Sequence, residues 1–329
     1  MKQYVKVIYT GAYNIIHFKI GEIILEQPKV CVIIPTYKRS DRLSRAIDSV
    51  LQQTYENIEV IVVDDNNPNT QYRKDTEHLM SKYQKKSNVK YIKHSKNKNG
   101  AAARNTGIKY SDCKYIAFLD DDDEFLPDKI KNQVNKMESL DGSWGACYTA
   151  YKKLNINNKT QQSAEKREGK LLTEALMRNL YIVAGSNLMV RKTVVEEING
   201  FDESFERNQD LEFLVRILEK YKLAYVDSCS LIIHYEVREI HRTYDELKQV
   251  DKQYISKFRT KIEKLNNLDK KKVFSMIALD NFRNSLSEKK LVDGIRVLIV
   301  NKVSLFTFLK YIIYLSHRYI SKTSYGFKI

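Results

Sequence analysis

Cysteine is scarce and scattered. Cys31, Cys113, Cys147 and Cys229 form no CxxC pair, which argues against a disulfide framework or a zinc site and fits a reducing compartment. Long apolar runs are missing too. No stretch approaches the roughly 18 uncharged apolar residues of a membrane-spanning helix, and the first residues are interrupted by Lys6, His17, Lys19 and Glu22, unlike a signal peptide. A cytoplasmic protein is expected, touching the inner face of the membrane from the surface if at all. Several ligand motifs are absent. Where a dinucleotide site needs GxGxxG after the first strand, this chain has "PTYKRSDR", and it carries neither GxxxxGK[ST] nor an EF-hand loop. No nucleic-acid-binding motif is recognisable either, so nucleic acid is not an expected partner.

What is present is a core and an uneven charge. Hydrophobic residues make up 43% of the chain, enough to exclude disorder. Net charge is +15, and residues 230–329 hold 20 Lys and Arg against 10 Asp and Glu, a local excess of +10. Such an asymmetry suggests an anionic partner for the tail.

From Lys29 onward strand and helix patterns alternate. "VCVIIP" (30–35) and "IEVIVVDD" (58–65) are continuous β-branched runs of the kind covered on both faces. "VKYIKH" (89–94) and "KYIAFLD" (114–120) read as a third and fourth strand. The intervening helices include "SDRLSRAIDSVLQQ", with Leu43, Ile47, Val50 and Leu51 at helical spacing, and one opened by Pro127 that carries Ile130, Val134 and Met137. Four such repeats predict an α/β fold with a largely parallel, doubly wound sheet, whose ligands bind beyond the carboxyl ends of the strands. Further on, "WGACYTAYKKL", "IVAGSNLMV" and "LAYVDSCSLIIHY" read as strands, "NINNKTQQSAEKREGK" as an exposed loop, and "RNQDLEFLVRILEKY" as a helix buried through Leu211, Leu214, Val215 and Leu218.

Asp120, Asp121, Asp122, Asp123 and Glu124 crowd the end of the fourth strand. Their unperturbed pKa values near ~4 would leave all of them ionised and mutually repelling. A divalent cation would relieve that repulsion, and hard carboxylate oxygens select Mg²⁺ or Mn²⁺, which keep positions open for substrate phosphates. A solvated charge run capping a helix is the plain alternative. Asp210, opening its helix, could equally be a cap or a general base.

Three segments, "VCVIIPTYKRSDRLSRAIDSVLQQTYENIEVIVVDDNNPN", "NGAAARNTGIKYSDCKYIAFLDDDDEFLPDKI" and "GSNLMVRKTVVEEINGFDESFERNQDLEFLVR", together resemble a family 2 glycosyltransferase over about residues 29–235. The resemblance implies a GT-A, Rossmann-like, mostly parallel sheet flanked by helices, and a C-terminal helical extension. It divides the chain into an N-terminal extension (1–28), a GT-A domain (29–240) and a basic helical region (241–329). The implied activity is inverting transfer from a nucleotide-diphosphate sugar, usually a UDP-sugar, assisted by Mn²⁺ or Mg²⁺. The implied acceptor is a glycan or lipid-linked saccharide in cell-surface polysaccharide synthesis. Asp120, Asp121 and Asp122 match the family's DxD motif, with Asp122 as metal ligand and Asp120 directed to ribose or metal. Asp121 stands where a small residue is common, and the extra acids could shift the ligand assignment by one residue. Asp65 corresponds to the carboxylate that reads uracil; Pro35, Thr36 and Tyr37 would line the nucleotide pocket, with Arg104 near the diphosphate. Asp210 would be the catalytic base, next to Gln209 where the family commonly has Glu. A catalytically silent sugar-nucleotide-binding domain is the main alternative, and a nucleic-acid-binding basic protein, suggested by the charge, is the lesser one.

Other residues are weaker candidates. Trp144 could stack on a sugar or belong to the core, and His234 and His241 could contact metal or phosphate but read more simply as structural. Lys38 and Arg39 are phosphate contacts or surface charge, and Gly185 and Ser186 could admit the acceptor to the backbone. In 291–320, treated as one helix, Asp293, Arg296, Lys302, Lys310, His317 and Arg318 fall on one half of the circumference. Leu298, Leu305, Phe308, Leu309, Ile312 and Leu315 fall on the other half. Such a helix suits an anionic membrane surface, and a helical hairpin packed on the core is the alternative.

Overall fold

The computed structural model describes residues 27–154, 160–234 and 243–329. Its elements run β1 (Val30–Thr36), α1 (Ser40–Leu51), β2 (Ile58–Asp64), α2 (Gln71–Ser81), β3 (Val89–Lys93), α3 (Gly100–Tyr110), β4 (Tyr115–Phe118), β5 (Glu124–Phe125), α4 (Lys129–Glu138) and β6 (Trp144–Leu154). They continue with β7 (Thr160–Ser163), α5 (Leu172–Leu176), α6 (Ala184–Asn187), β8 (Met189–Arg191), α7 (Lys192–Glu197), α8 (Gln209–Lys220) and β9 (Lys222–His234). The last are α9 (Tyr244–Glu263), α10 (Asn267–Ser287), α11 (Leu291–Val300), α12 (Leu305–Ser321) and β10 (Thr323–Ser324).

The first half is the parallel sheet that the alternating pattern predicts. Strands β3, β2, β1 and β4 lie side by side and parallel, and β1 and β2 are wholly apolar over most of their length because helices cover both faces. The chain leaves β1 toward β2 and returns to its other side as β4, so the ends of β1 and β4 form a topological switch point. The second half is mixed: β8 pairs antiparallel with β4 and β6, whereas β6 and β9 pair in parallel.

Three readings from the pattern change. "IVAGSNLMV" is not one strand but the short helix α6 leading into β8, and the antiparallel register Ala117↔Met189 carries that helix to the carboxyl end of β4. The loop expected at 155–170 contains β7, which pairs with β6 and with β10; residues 155–159 lie outside the described set. On α8 the buried apolar residues are Phe213, Leu214, Val215, Ile217 and Leu218, while Leu211 is only partly covered. Phe213 takes the lead because it stacks on Phe201 at 4.1 Å and meets Phe118 of β4 edge-on at 5.8 Å. These rings fix α8 against β4.

The C-terminal helices share the core of the first half: Tyr254, Phe258, Met276 and Tyr311 are buried in the same cluster as Ile33 and Phe118. The tail also returns to it, since the Phe327 N–H donates to Asn179 Oδ1 and Asn179 Nδ2 donates to the Phe327 carbonyl. The segment 291–320 is two helices, broken at 301–304. Gly294 does not break α11; a β-carbon there would lie 2.2 Å from Ser285 Oγ, so glycine permits close packing on α10.

Candidate active site

Two neighbouring chambers open at the switch point. A cleft of about 730 Å³ runs over Pro35, Thr36 and Tyr37 after β1, Asp65 after β2, and Asp120 and Asp121 after β4. A second chamber of about 380 Å³ holds Asp210, Asn208 and Gly185. Arg104, Asp120, Glu206 and Gln209 line both. Strand ends supply the first chamber, and the α6 and α8 starts supply the second.

Asp65 is buried and fully engaged. Its carboxylate meets His94 Nδ1 at 2.6 Å and accepts from Asn97 Nδ2 at 2.8 Å and from the N–H groups of Lys98 and Asn99 at 2.9 and 3.0 Å. A carboxylate has about four acceptor sites, so these donors fill them and shape loop 95–99. Asp64 faces the opposite way, toward Arg73, Tyr91 and Asn66, as alternation along a strand requires. His94 went unnoticed in the sequence because its partner is 29 positions away.

The acids after β4 are met differently. Asp120 Oδ1 pairs with Arg104 Nη2 at 2.5 Å, and Asp122 pairs with Arg39 at 2.7 Å. Asp121 is buried against Thr36 Oγ1 (2.8 Å) and Arg39 (3.1 Å). Burial pushes its pKa up to about 6, against the pull of Arg39 and Thr36, so it takes up a proton at higher pH than an ordinary carboxylate. Its carboxylate ties β1 to the acidic loop along the floor of the cleft. Asp123 is buried as well; desolvation, then Asp120 and Asp122, raise its pKa well above the usual range. It accepts from Ser186 Oγ at 2.5 Å and from the His234 N–H at 3.3 Å.

Ligand atoms of Asp120, Asp122 and Asp123 lie within 4.8 Å of one another. Three hard oxygen donors at this spacing fit Mg²⁺ or Mn²⁺. The pair Asp120 and Asp122 thus gains Asp123 as a third member, for which the extra acid in the run was the available signal. Ser186 also accepts from the Asp120 N–H at 3.1 Å, so α6 clamps the loop from the side.

Arg104 links the two chambers. Its second nitrogen donates to Gln209 Oε1 at 3.2 Å, next to Asp210. A β-carbon at Gly100 would sit 3.1 Å from both of those atoms, which explains a glycine at the start of α3. Asp210 is half-buried. Burial raises its pKa, opposed by Arg104 and reinforced by Asp120.

Behind the loop, Lys129 is fully buried. Its partners are neutral, Asn187 Oδ1 at 2.6 Å and Thr149 Oγ1 at 3.0 Å, and burial lowers its pKa to about 7.

The remaining candidates sort by position. Arg39 meets the acids, whereas Lys38 lies over the rings of Tyr37 and Tyr72. His234 bonds Glu124 at 3.1 Å at the rim of the acidic cluster, and His241 lies outside the described residues. Trp144 packs with the core at the far end of β6 under Lys222, away from both chambers.

This layout defines a class: an α/β protein whose strand-end cleft shares a carboxylate-bearing wall with a chamber holding two further carboxylates, Glu206 and Asp210. Residues 31–199 match the model for glycosyl transferase family 2, and the chain belongs to that family. An "uncharacterized glycosyltransferase" of Rickettsia felis is 34% identical over 206 residues, covering 62% of this chain and 32% of that protein. The chain thus spans about a third of that relative's length. The amylovoran biosynthesis glycosyltransferase AmsB of Erwinia amylovora is 29% identical, over 56% of this chain and 62% of its own. The UDP-Glc:alpha-D-GlcNAc-diphosphoundecaprenol beta-1,3-glucosyltransferase WfgD of Escherichia coli is 26% identical, over 68% and 83%. Among solved structures, S. aureus TarS in complex with UDP-GlcNAc aligns over 92% of this chain and 94% of its own, with a TM-score of 0.55 and 16% identity, a likeness of fold.

Proposed function

We propose that this protein is an inverting glycosyltransferase that moves a sugar from a UDP-sugar to a lipid-linked saccharide in cell-surface polysaccharide synthesis. Mg²⁺ or Mn²⁺ would be held by Asp120, Asp122 and Asp123. The observation that carries the reading is that the strand-end cleft and the chamber around Asp210 share Asp120 and Arg104 in their walls.

In this reading Pro35 and Tyr37 flank the nucleobase, and Thr36 holds the floor through Asp121. Asp65 accepts the uracil imide proton in place of Asn97, whose side-chain amide can swing away while the backbone donors stay. The Arg104 fork and the amino end of α3 face the diphosphate. The bound cation would neutralise the departing diphosphate. Asp210 takes the proton from the acceptor hydroxyl as that oxygen attacks the anomeric carbon, and its raised pKa suits a base better than an ordinary carboxylate does. Relatives named for diphosphoundecaprenol-linked and amylovoran substrates support the acceptor class, and a fold relative crystallised with UDP-GlcNAc supports a UDP donor. An acceptor of that kind puts the work at the inner face of the cell membrane.

The test is Mn²⁺-dependent turnover of UDP-glucose, UDP-galactose and the two N-acetylated UDP-sugars, with a chelator control. Turnover of one of them that the chelator abolishes is expected. UDP affinity identical with and without chelator would overturn the metal assignment.

A further inference from the structure

We propose that the outer face of α11 and α12 is a docking surface for an anionic lipid bilayer. This goes beyond the transfer reaction and does not depend on it. On α11, Leu291, Ile295 and Ile299 recur every fourth residue beside Val292, and all are 45–73% exposed. On α12, Leu305, Phe306, Leu309, Ile312, Ile313 and Ile320 are 36–78% exposed. At 100° per residue the α12 set covers an arc of about 120°. This is not the face drawn from a single continuous helix, because Leu298, Phe308 and Leu315 pack against the core instead.

Both helices are pinned by their inner sides. Gly294 seats α11 on Phe282 and Ser285, and on α12 Tyr311 and Tyr314 are buried, with Tyr311 bonded to Asp280 at 3.1 Å. The apolar arcs are therefore fixed outward rather than left to collapse. So many exposed large apolar residues on adjoining helices exceed the scattered ones of an ordinary surface.

Charge identifies the occupant. Residues 291–329 contain Arg296, Lys302, Lys310, Arg318, Lys322 and Lys328 against the single acid Asp293. Lys310 lies over the Phe306 ring at 4.5 Å, at the border of the arc. In a symmetric contact with a second copy these cations would face each other, whereas anionic headgroups complement them. No described helix is long and apolar enough to cross a membrane. Each helix would lie in the interface plane with its apolar arc toward the lipid.

The experiment is co-sedimentation of the full chain with phosphatidylcholine vesicles, with and without phosphatidylglycerol. Binding to the anionic vesicles that weakens with salt is expected. Ile299→Asn with Ile313→Asn should weaken it by about a hundredfold, at roughly tenfold for each buried apolar side chain. Lys302→Gln with Lys310→Gln should weaken it about twentyfivefold, at roughly fivefold per cation. UDP binding in solution should be unchanged in both variants, which marks an intact fold. Asp210→Asn should bind vesicles like the parent, separating this surface from the chemistry. Vesicle binding unaffected by the Ile substitutions, no binding by the parent chain, or a solution dimer that those substitutions dissolve would overturn the proposal.

Discussion

Two sets of acids end strands β2 and β4, which flank β1 at one sheet edge, and their charges are met in opposite ways. After β2, Asp65 is saturated by His94, Asn97 and two backbone N–H groups. After β4, Asp120, Asp122 and Asp123 crowd together, with Arg104 on Asp120, Arg39 on Asp122, and Ser186 and the His234 N–H on Asp123. A carboxylate whose acceptor sites are filled by protein donors needs no added cation. A cluster of carboxylates with converging oxygens is stable at full charge only when a cation joins it. Acidity in sequence therefore says little about role until the donors are counted.

The largest expected effect isolates the chemistry from both clusters. Asp210→Asn should cut kcat by about a thousandfold while the dissociation constant for UDP with Mn²⁺, measured calorimetrically, stays as in the parent; full activity would remove Asp210 as the base. Next, the two acid sets should separate cleanly. Asp122→Asn and Asp123→Asn should each weaken Mn²⁺-supported UDP binding by about tenfold to a hundredfold, as lost ligand positions do. Asp65→Asn should instead weaken UDP binding equally with Mn²⁺ and with chelator. Equal metal dependence in all three variants would erase the distinction.

Lys129 gives the cationic counterpart, a buried amine whose hydrogen-bond partners, Asn187 and Thr149, are neutral. The neutral form is held in the fold near pH 7, while the unfolded chain keeps its proton up to about 10.5. Over that window the unfolded state binds more protons, so stability should rise with pH by roughly 1 kcal/mol per unit. Urea midpoints should show this slope, and Lys129→Met should flatten it. The smallest effect concerns the base. Activity should fall as pH drops through the raised pKa of Asp210, at higher pH than an ordinary carboxylate gives. Arg104 holds that value down, so Arg104→Gln should move the acidic limb of kcat further upward; a limb that moves down would contradict the assigned coupling.

Much of the site was legible because strand ends announce themselves. Apolar runs that stop at "PT", "DD" and "DDDD" put Pro35, Asp65 and Asp120 on one edge of a parallel sheet. What stayed hidden came from long-range register. Ser186 reaches Asp123 only because β8 runs antiparallel to β4, and the segment's apolar run looked like a plain strand. Asp121 looked like one more ionised acid, yet its partners are 82 and 85 positions away. The tail showed its amphipathic composition but not its break at 301–304, and so not which residues face outward.

The sequence by itself determined the alternation of buried strands and helices, the collection of acids and cations at one sheet edge, and the basic apolar tail, since these depend on local periodicity and composition. Only the tertiary structure decided which carboxylates are filled by protein donors and which converge on one another, because hydrogen bonding and desolvation depend on neighbours brought together from distant parts of the chain.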